Sequence, residues 1–519
     1  MIRSALTFVF VVYCTAMSSC GIFAGDNERV TVDGDFTSNL PLLVLELTDT
    51  DGTAQAVSGT MSLYDNADGN VGLQDIPKTV SKITARQRAG MLVSGKLNLS
   101  IQLVSGDGNN AEPLSLAGLP ADTEWILHGS VSDKGMLRNG LSYALGRVLF
   151  GEDAPLTRFC EVLVRSGETY EYQGIHILAE DGLRIAQRLT GDREESFVVH
   201  YSEGIDRLSD DTVRLGNRLF ADKTPQRNGD ASERRRRIGV ELAKLENALQ
   251  SIRPQDFLAY ESMLDQYSAI DLYILNSLML NAFEAKVPFL LFKNGKGKLQ
   301  FLPAWNFDYA LDNQPKRDRP LPFEEEVHRV EQPSILERRL PVWRTLESGG
   351  DIRDVRVYPA YLVLGGERFL WFDRLFLSRS FLVKLYDRYH LLRRTVLSPQ
   401  SVQGMVDNMT VSLGPALERD WLRWSGEYAA ANGPYALAPF VDEEGVEHIR
   451  RTEDYGQDAV KIRRNIREQD SFLFEQMEQL MWMTVDLYDK GTAGNRHALY
   501  SIGVIAGLLA LMHLLSRKL

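Results

Sequence analysis

Arg138 and Asn139 stand side by side at the opening of an apolar-periodic stretch, so a guanidinium and the free N–H groups of a helix start meet at one place. That combination suits an anion, and capping and packing of the helix is the equally open alternative. Farther along, Pro303-Ala304-Trp305-Asn306-Phe307-Asp308 sets a neutral carbonyl and a carboxylate two residues apart. Both are hard oxygen donors of the kind Mg²⁺ accepts, but only Asp308 brings charge. Lys96, in Ser94-Gly95-Lys96-Leu97-Asn98-Leu99, is a strand lysine that either faces solvent or contacts phosphate. The sequence has no Walker-type glycine loop, His-Glu-x-x-His helix, Gly-x-Ser-x-Gly elbow or cysteine metal cluster. Cys160 sits in the strand-like run Thr157 to Val164 and reads as a small core hydrophobe rather than a nucleophile.

The elements that must hold these residues follow from hydrophobic period. Leu42 to Leu47 reads as a buried strand, and Ile83 to Leu103 holds two strand-like stretches separated by glycines. Asp107 to Asn110 is a turn. From Asp133 the period becomes helical, with Met136, Leu137, Leu141, Leu145, Val148 and Leu149 on one face and Gly151 as a stop. Arg158 to Val164 and Tyr172 to Leu178 suggest a hairpin turning at Ser166-Gly167-Glu168. Thereafter helices dominate, near Ser232 to Leu249, Phe257 to Asn281, Ser378 to Val396, Ser401 to Trp424 and Ala459 to Tyr488, with one hairpin, Phe289 to Leu302. The expected architecture is α+β, a β-rich lobe over residues 39–190 followed by a mainly helical lobe over 191–490. The Arg234 to Arg237 run opening an amphipathic helix reads as a solvated face.

A chain of 519 residues with 44% hydrophobic and 25% charged residues can bury a substantial core. Its formal net charge of -12 argues against a mainly electrostatic hold on nucleic acid. Arg3, the apolar run Ala5 to Tyr13 and Met17-Ser18-Ser19-Cys20 read as an export signal over residues 1–20, either a lipoprotein signal with Cys20 acylated or an ordinary secretory one. Residues 21–38 suit a tether, with folded structure starting near Leu40. Ala498 to Leu515 is an apolar run whose eighteen residues would span roughly 27 Å as a helix. It reads as a transmembrane tail or a buried terminal helix. Gly503 and Gly507 have the small-xxx-small spacing through which two such helices self-associate. Arg517 and Lys518 favour a cytoplasmic C-terminus, leaving the folded part on the far side of the membrane, in the periplasm or at the cell surface.

Gly118-Leu119-Pro120-Ala121-Asp122, Trp125-Ile126-Leu127, Asp133-Lys134 and Arg138-Asn139 come in that order. They are followed by Tyr172-Gln173-Gly174 on a strand ending at Glu180, by Trp305-Asn306-Phe307-Asp308, and by Arg419-Asp420-Trp421-Leu422-Arg423-Trp424. This succession resembles the spore coat protein CotH kinase family over roughly Leu40 to Met477. The resemblance implies an atypical protein-kinase-like bilobal fold and transfer of the γ-phosphate of ATP, with Mg²⁺, to Ser or Thr of exported or envelope proteins. Catalysis of that kind is mostly positioning and charge neutralisation. It assigns Asp308 and Asn306 to metal, Lys96, Arg138 and Asn139 to the nucleotide, Glu180 to a pair with Lys96, and a catalytic acid to Glu284. The sequence departs from the family pattern at Asn306, where an acid is expected, at the inserted Ala304, and between Asn281 and Pro288, where the family has Asp and this chain offers Glu284, or Phe283 in an alternative alignment. Those departures favour a rival reading, a catalytically impaired surface or envelope scaffold. A third, carbohydrate binding through Trp305, Trp421 and Trp424, lacks a carboxylate pair.

Overall fold

The computed structural model describes residues 30–48, 56–66, 69–88, 96–105, 111–190, 195–201, 211–216, 218–225, 230–281, 289–302, 306–311, 313, 371–376, 378–429, 440–441, 447–448 and 455–489. The export signal with Cys20, the turn at 107–110, Glu284, and the C-terminal run with Gly503 and Gly507 lie outside them. Among the described residues no helix is long and apolar enough to cross a membrane.

Among the described residues seven longer strands build the main sheet of the first half: β1 (Leu42–Leu47), β2 (Val57–Tyr64), β3 (Thr79–Gln87), β4 (Leu99–Val104), β5 (Glu124–His128), β6 (Thr157–Ser166) and β7 (Thr169–Glu180). Their hydrogen-bonded order is β7-β5-β4-β3-β2-β1-β6, and β6 pairs with β7 again through the hairpin at Gly167. The sheet therefore closes on itself as a barrel. Every pairing is antiparallel except β1 with β6. Alternate residues point inward, as a pleated strand requires, so pairs such as Leu43 and Leu45, Met61 and Leu63, and Trp125 and Leu127 fill the interior. Cys160 is one of these, and burial pushes its thiol up to about 12, as expected of an inert core thiol.

The outward faces of β5 and β7 are apolar too. Ile126, Ile175, Ile177 and Ala179 join one large core with helix α1 (Leu137–Phe150) and the elements of the second half. That half holds more β-structure than the period suggested: β8 (Phe197–Tyr201), β9 (Thr212–Leu215), β10 (Arg218–Asp222), β11 (Phe289–Lys293) and β12 (Leu299–Leu302) form an antiparallel sheet ordered β9-β10-β8-β11-β12. All five strands are four or five residues long, and only the β11–β12 hairpin was legible, through its turn Asn294-Gly295-Lys296-Gly297. Strands that short give little alternation to read.

The remaining helices are α2 (Gly182–Thr190), α3 (Ala231–Gln250), α4 (Gln266–Leu278), α5 (Arg379–Arg394), α6 (Pro399–Leu413), α7 (Pro415–Ala429) and α8 (Tyr455–Asp489). Asp265 ends the irregular helical turns at 254–263 and caps α4, accepting from the N–H groups of Tyr267 and Ser268. Ser401 to Trp424, continuous in hydrophobic period, is broken at Gly414, which has φ +45°, and α7 restarts on Pro415. Folded structure also begins earlier than Leu40. Thr31 and Val32 pair with Tyr170 and Glu171 of β7, and Val32 packs near Tyr172.

Candidate functional site

The site begins at the entry to α1. Gly135 and Met136 take left-handed backbone conformations, with φ +62° and +57°, and fold the chain so that Asp133 reaches back over the helix start. Its carboxylate accepts from the backbone N–H of Arg138 at 3.0 Å and of Asn139 at 2.8 Å. Of the two readings of this helix start, an anion site or a capped end, the structure has the second, with the protein's own carboxylate on the N–H groups. Asp133 is fully buried, and desolvation raises its pKa to about 6 despite the nearby Arg138 guanidinium.

Asn139 links this helix to the Asp308 turn. Its Nδ2 donates to Asp133 Oδ2 and to Asp308 Oδ1, both at 2.8 Å, and its Oδ1 accepts from the Phe307 N–H at 3.1 Å. Asn306 shapes the turn, its Oδ1 accepting from the Asp308 N–H at 3.2 Å. Asn313 Nδ2 donates to the carbonyls of Asp308 at 2.6 Å and Ser132 at 2.7 Å. His128, at the end of β5, places Nε2 3.6 Å from Asp308 Oδ1. The Asp308 side chain keeps 15% exposure. Burial works to raise its pKa, but the His128 imidazole and hydrogen bonds from Asn139 and Ser130 together hold it below the usual carboxylate range.

A second segment converges on the same turn. Asn281, the last described residue after α4, donates from Nδ2 to the Asn306 carbonyl at 3.3 Å and to Asn276 Oδ1 at 3.2 Å. The Leu311 N–H donates to the Met279 carbonyl at 2.8 Å. Leu280 and Leu311, like Met136, hold positive φ without being glycine, at +46° and +49°. Three such residues around one carboxylate store local strain, a feature that clusters at functional sites.

Lys96 and Glu180 go elsewhere. Lys96 lies three residues ahead of β4 and donates to Asp420 Oδ1 of α7 at 2.8 Å, with its side chain fully closed to solvent. Glu180 instead accepts from Arg188 Nη2 at 3.0 Å and from the Leu156 N–H at 2.8 Å. The expected Lys96–Glu180 pair is therefore not formed: Lys96 is held by Asp420, and Glu180 by Arg188 and Leu156. Arg138 is likewise committed: its Nη1 and Nη2 grip Asp458 of α8 at 2.7 and 2.9 Å, and its Nε donates to the Ala310 carbonyl at 3.1 Å. Both basic residues expected at the nucleotide thus lie in buried ion pairs, while Asn139, also assigned to the nucleotide, bonds directly to Asp308.

Sequence reasoning missed Asp133, His128, Asn281 and Asn313 as parts of the site, and Asp420 and Asp458 as partners of its cations. Asp420 stands inside Arg419-Asp420-Trp421, so its signal was visible but its partner was not. Trp424 belongs to the same contact, buried with Nε1 donating to the Gln173 carbonyl at 3.4 Å, so it is not a sugar platform. In the basic run, Arg234 pairs with Asp222 and Arg236 with Glu233.

The arrangement offers one partly open carboxylate, Asp308, with the buried Asp133 carboxylate and the amide groups of Asn139, Asn306 and Asn313 around it. Among the described residues no three His, Cys, Asp or Glu side chains are grouped to hold a metal unaided. Such a site suits Mg²⁺ delivered with phosphate, an ion that commonly takes one or two carboxylates and completes its shell from substrate and water. A family model described as CotH kinase protein matches residues 94–443. No curated protein matches the chain.

Proposed function

The chain belongs to the CotH kinase family, and from that premise we propose that it is an exported, membrane-held kinase passing the γ-phosphate of ATP to Ser or Thr of envelope or secreted proteins. The observation that carries the reading is that Asn139 and Asn306 bond Asp308, Asn281 bonds Asn306 in the same turn, and the Asp308 carboxylate, held below the usual range, stays partly open. In this reading Asp308 and the Asn306 carbonyl hold Mg²⁺, and Glu284, three residues beyond Asn281, supplies the acid that orients the attacking hydroxyl. Bound Mg²⁺–ATP brings the transferable phosphoryl group and the charge that the metal neutralises. The protein-kinase-like bilobal arrangement, lipidation at Cys20 and a membrane-spanning 498–515 belong to the same proposal. The test is calorimetric binding of Mg²⁺–ATP to the purified protein, followed by labelled γ-phosphate transfer to a generic Ser/Thr substrate.

One observation favours the rival reading. Lys96 and Arg138, the cations the family resemblance assigns to phosphate, are neutralised by Asp420 and Asp458. A scaffold using the fold for binding alone would retain those pairs while letting the metal site decay at Asn306. A folded protein that binds no Mg²⁺–ATP would establish that second reading.

A further inference from the structure

Helix α8 begins beyond the residues matched by the family model, yet one stripe of it reaches α1, the Asp308 turn and the end of α4. Asp458, Asn465 and Gln469 are spaced seven and four residues apart and so share a helical face. All three are buried, on a face otherwise made of Ala459, Ile462, Ile466 and Leu473. Asp458 holds Arg138, whose Nε in turn holds the Ala310 carbonyl. Asn465 Nδ2 donates to the Leu311 carbonyl at 2.7 Å, and Gln469 Nε2 to the Ser277 carbonyl near the end of α4 at 2.8 Å. Leu311 is the strained residue whose N–H ties the Asp308 turn to Met279.

We propose that α8 is the positioning element of the Asp308 site, and that Asn465 is the positioning residue that keeps Leu311 in its left-handed conformation and Asp308 in register with Asn281. Leucine in that conformation is costly, so it persists only where its surroundings over-determine it. Here its N–H and its carbonyl are fixed by two different helices. Polar side chains on a core-facing helix stripe carry a desolvation cost that only complete hydrogen bonding offsets, which makes them specifiers of geometry as much as of stability.

The inference rests on the reading that Asp308 holds the metal of Mg²⁺–ATP. Its test compares full-length Asn465→Ala with full-length Asp470→Asn. Asp470 lies on the same helix but pairs with Arg393 of α5, at 2.9 Å through both guanidinium nitrogens involved. Asn465→Ala should weaken Mg²⁺–ATP binding about tenfold or more, the usual effect of removing a supporting hydrogen bond behind a metal ligand. It should also speed amide exchange at Phe307 to Leu311 selectively. Asp470→Asn should lower the melting temperature without either effect. If Asn465→Ala merely matches Asp470→Asn, α8 is packing and the inference fails. Should the wild type bind no Mg²⁺–ATP, the functional reading fails by itself and the exchange pattern alone decides the role of α8. If Asn465→Ala does not fold, Gln469→Ala takes its place, with faster exchange expected at Leu278 to Asn281 and unchanged exchange counting against the inference.

Discussion

Gly174 and Asp420 meet because the glycine has no side chain: a Cβ at position 174 would stand 2.2 Å from Asp420 Oδ1. The register of β6 against β7 shifts between Tyr172 and Gly174, and the bulge turns the Ile175 N–H toward the same carboxylate, which accepts it at 2.8 Å. The Tyr-Gln-Gly element is thus a receptacle for α7. Arg423 donates to the Tyr172 carbonyl, and Arg419 to Glu161 on β6, which also accepts from Ser38 and Tyr172. Gly174 holds φ +82°. Gly174→Ala should therefore cost on the order of 3 kcal/mol, through backbone strain and displaced Asp420 together. Chemical denaturation measures it, and a loss under about 0.5 kcal/mol, the size of an ordinary surface change, would show that the bulge tolerates a methyl group.

Lys96 and Asp420 form a buried pair with side-chain exposures of 0% and 2%. Removing one partner leaves an uncompensated charge, so Lys96→Met alone should destabilise by about 3–5 kcal/mol. The double variant Lys96→Met with Asp420→Leu should recover part of that loss, though the Ile175 N–H then lacks its acceptor. Denaturation midpoints of the single and double variants form the comparison, and a double variant worse than the sum of its singles would contradict the pairing.

Asp308→Asn preserves the shape of the turn and the amide contacts but removes the site's accessible charge. It should abolish detectable Mg²⁺-dependent nucleotide binding with a melting temperature within a few degrees of wild type. Calorimetry with undiminished binding would take Asp308 out of the site.

Two buried carboxylates give opposite pH signatures. Asp458 is drawn down to about 2: burial alone would raise it, but the Arg138 guanidinium overrides. Its folded pKa lies below the unfolded value, so its stabilisation is present above about pH 4 and is lost as pH falls toward 2. Asp133, raised to about 6 by desolvation, binds its proton more tightly in the folded state. Its contribution is fully present below about pH 4 and is lost as pH rises to 6. Stability against pH for wild type, Asp458→Asn and Asp133→Asn should show the first variant without the acid limb and the second without the decline between 4 and 6.

The helix at Leu137, the Gly167 hairpin, the β11–β12 hairpin and the core role of Cys160 were all legible, because each is written in local period or turn chemistry. Motif spacing singled out Asp308 and Asn139, but not the hydrogen bond that joins them. What was not legible is long-range: which acid meets Lys96, that β1 lies parallel to β6 and closes a barrel, and that Asp133 already fills the helix start beside Arg138. A lysine destined for a buried carboxylate and one destined for phosphate look alike in one dimension. The partner decides, and the partner lies hundreds of residues away.

That distance has a temporal side. Arg138 and Asp458 are 320 positions apart, and Lys96 and Asp420 are 324. A chain made from its N-terminus can close the barrel's own hairpins early, but for most of its synthesis Lys96 lacks Asp420, and Arg138 has Asp133, 3.6 Å away in the finished fold, but not Asp458. The pairs that Lys96 and Arg138 make with α7 and α8 can therefore close only after those helices have emerged. A protein ending near residue 443 would carry every motif shared with its family and still leave Arg138 without the Asp458 carboxylate.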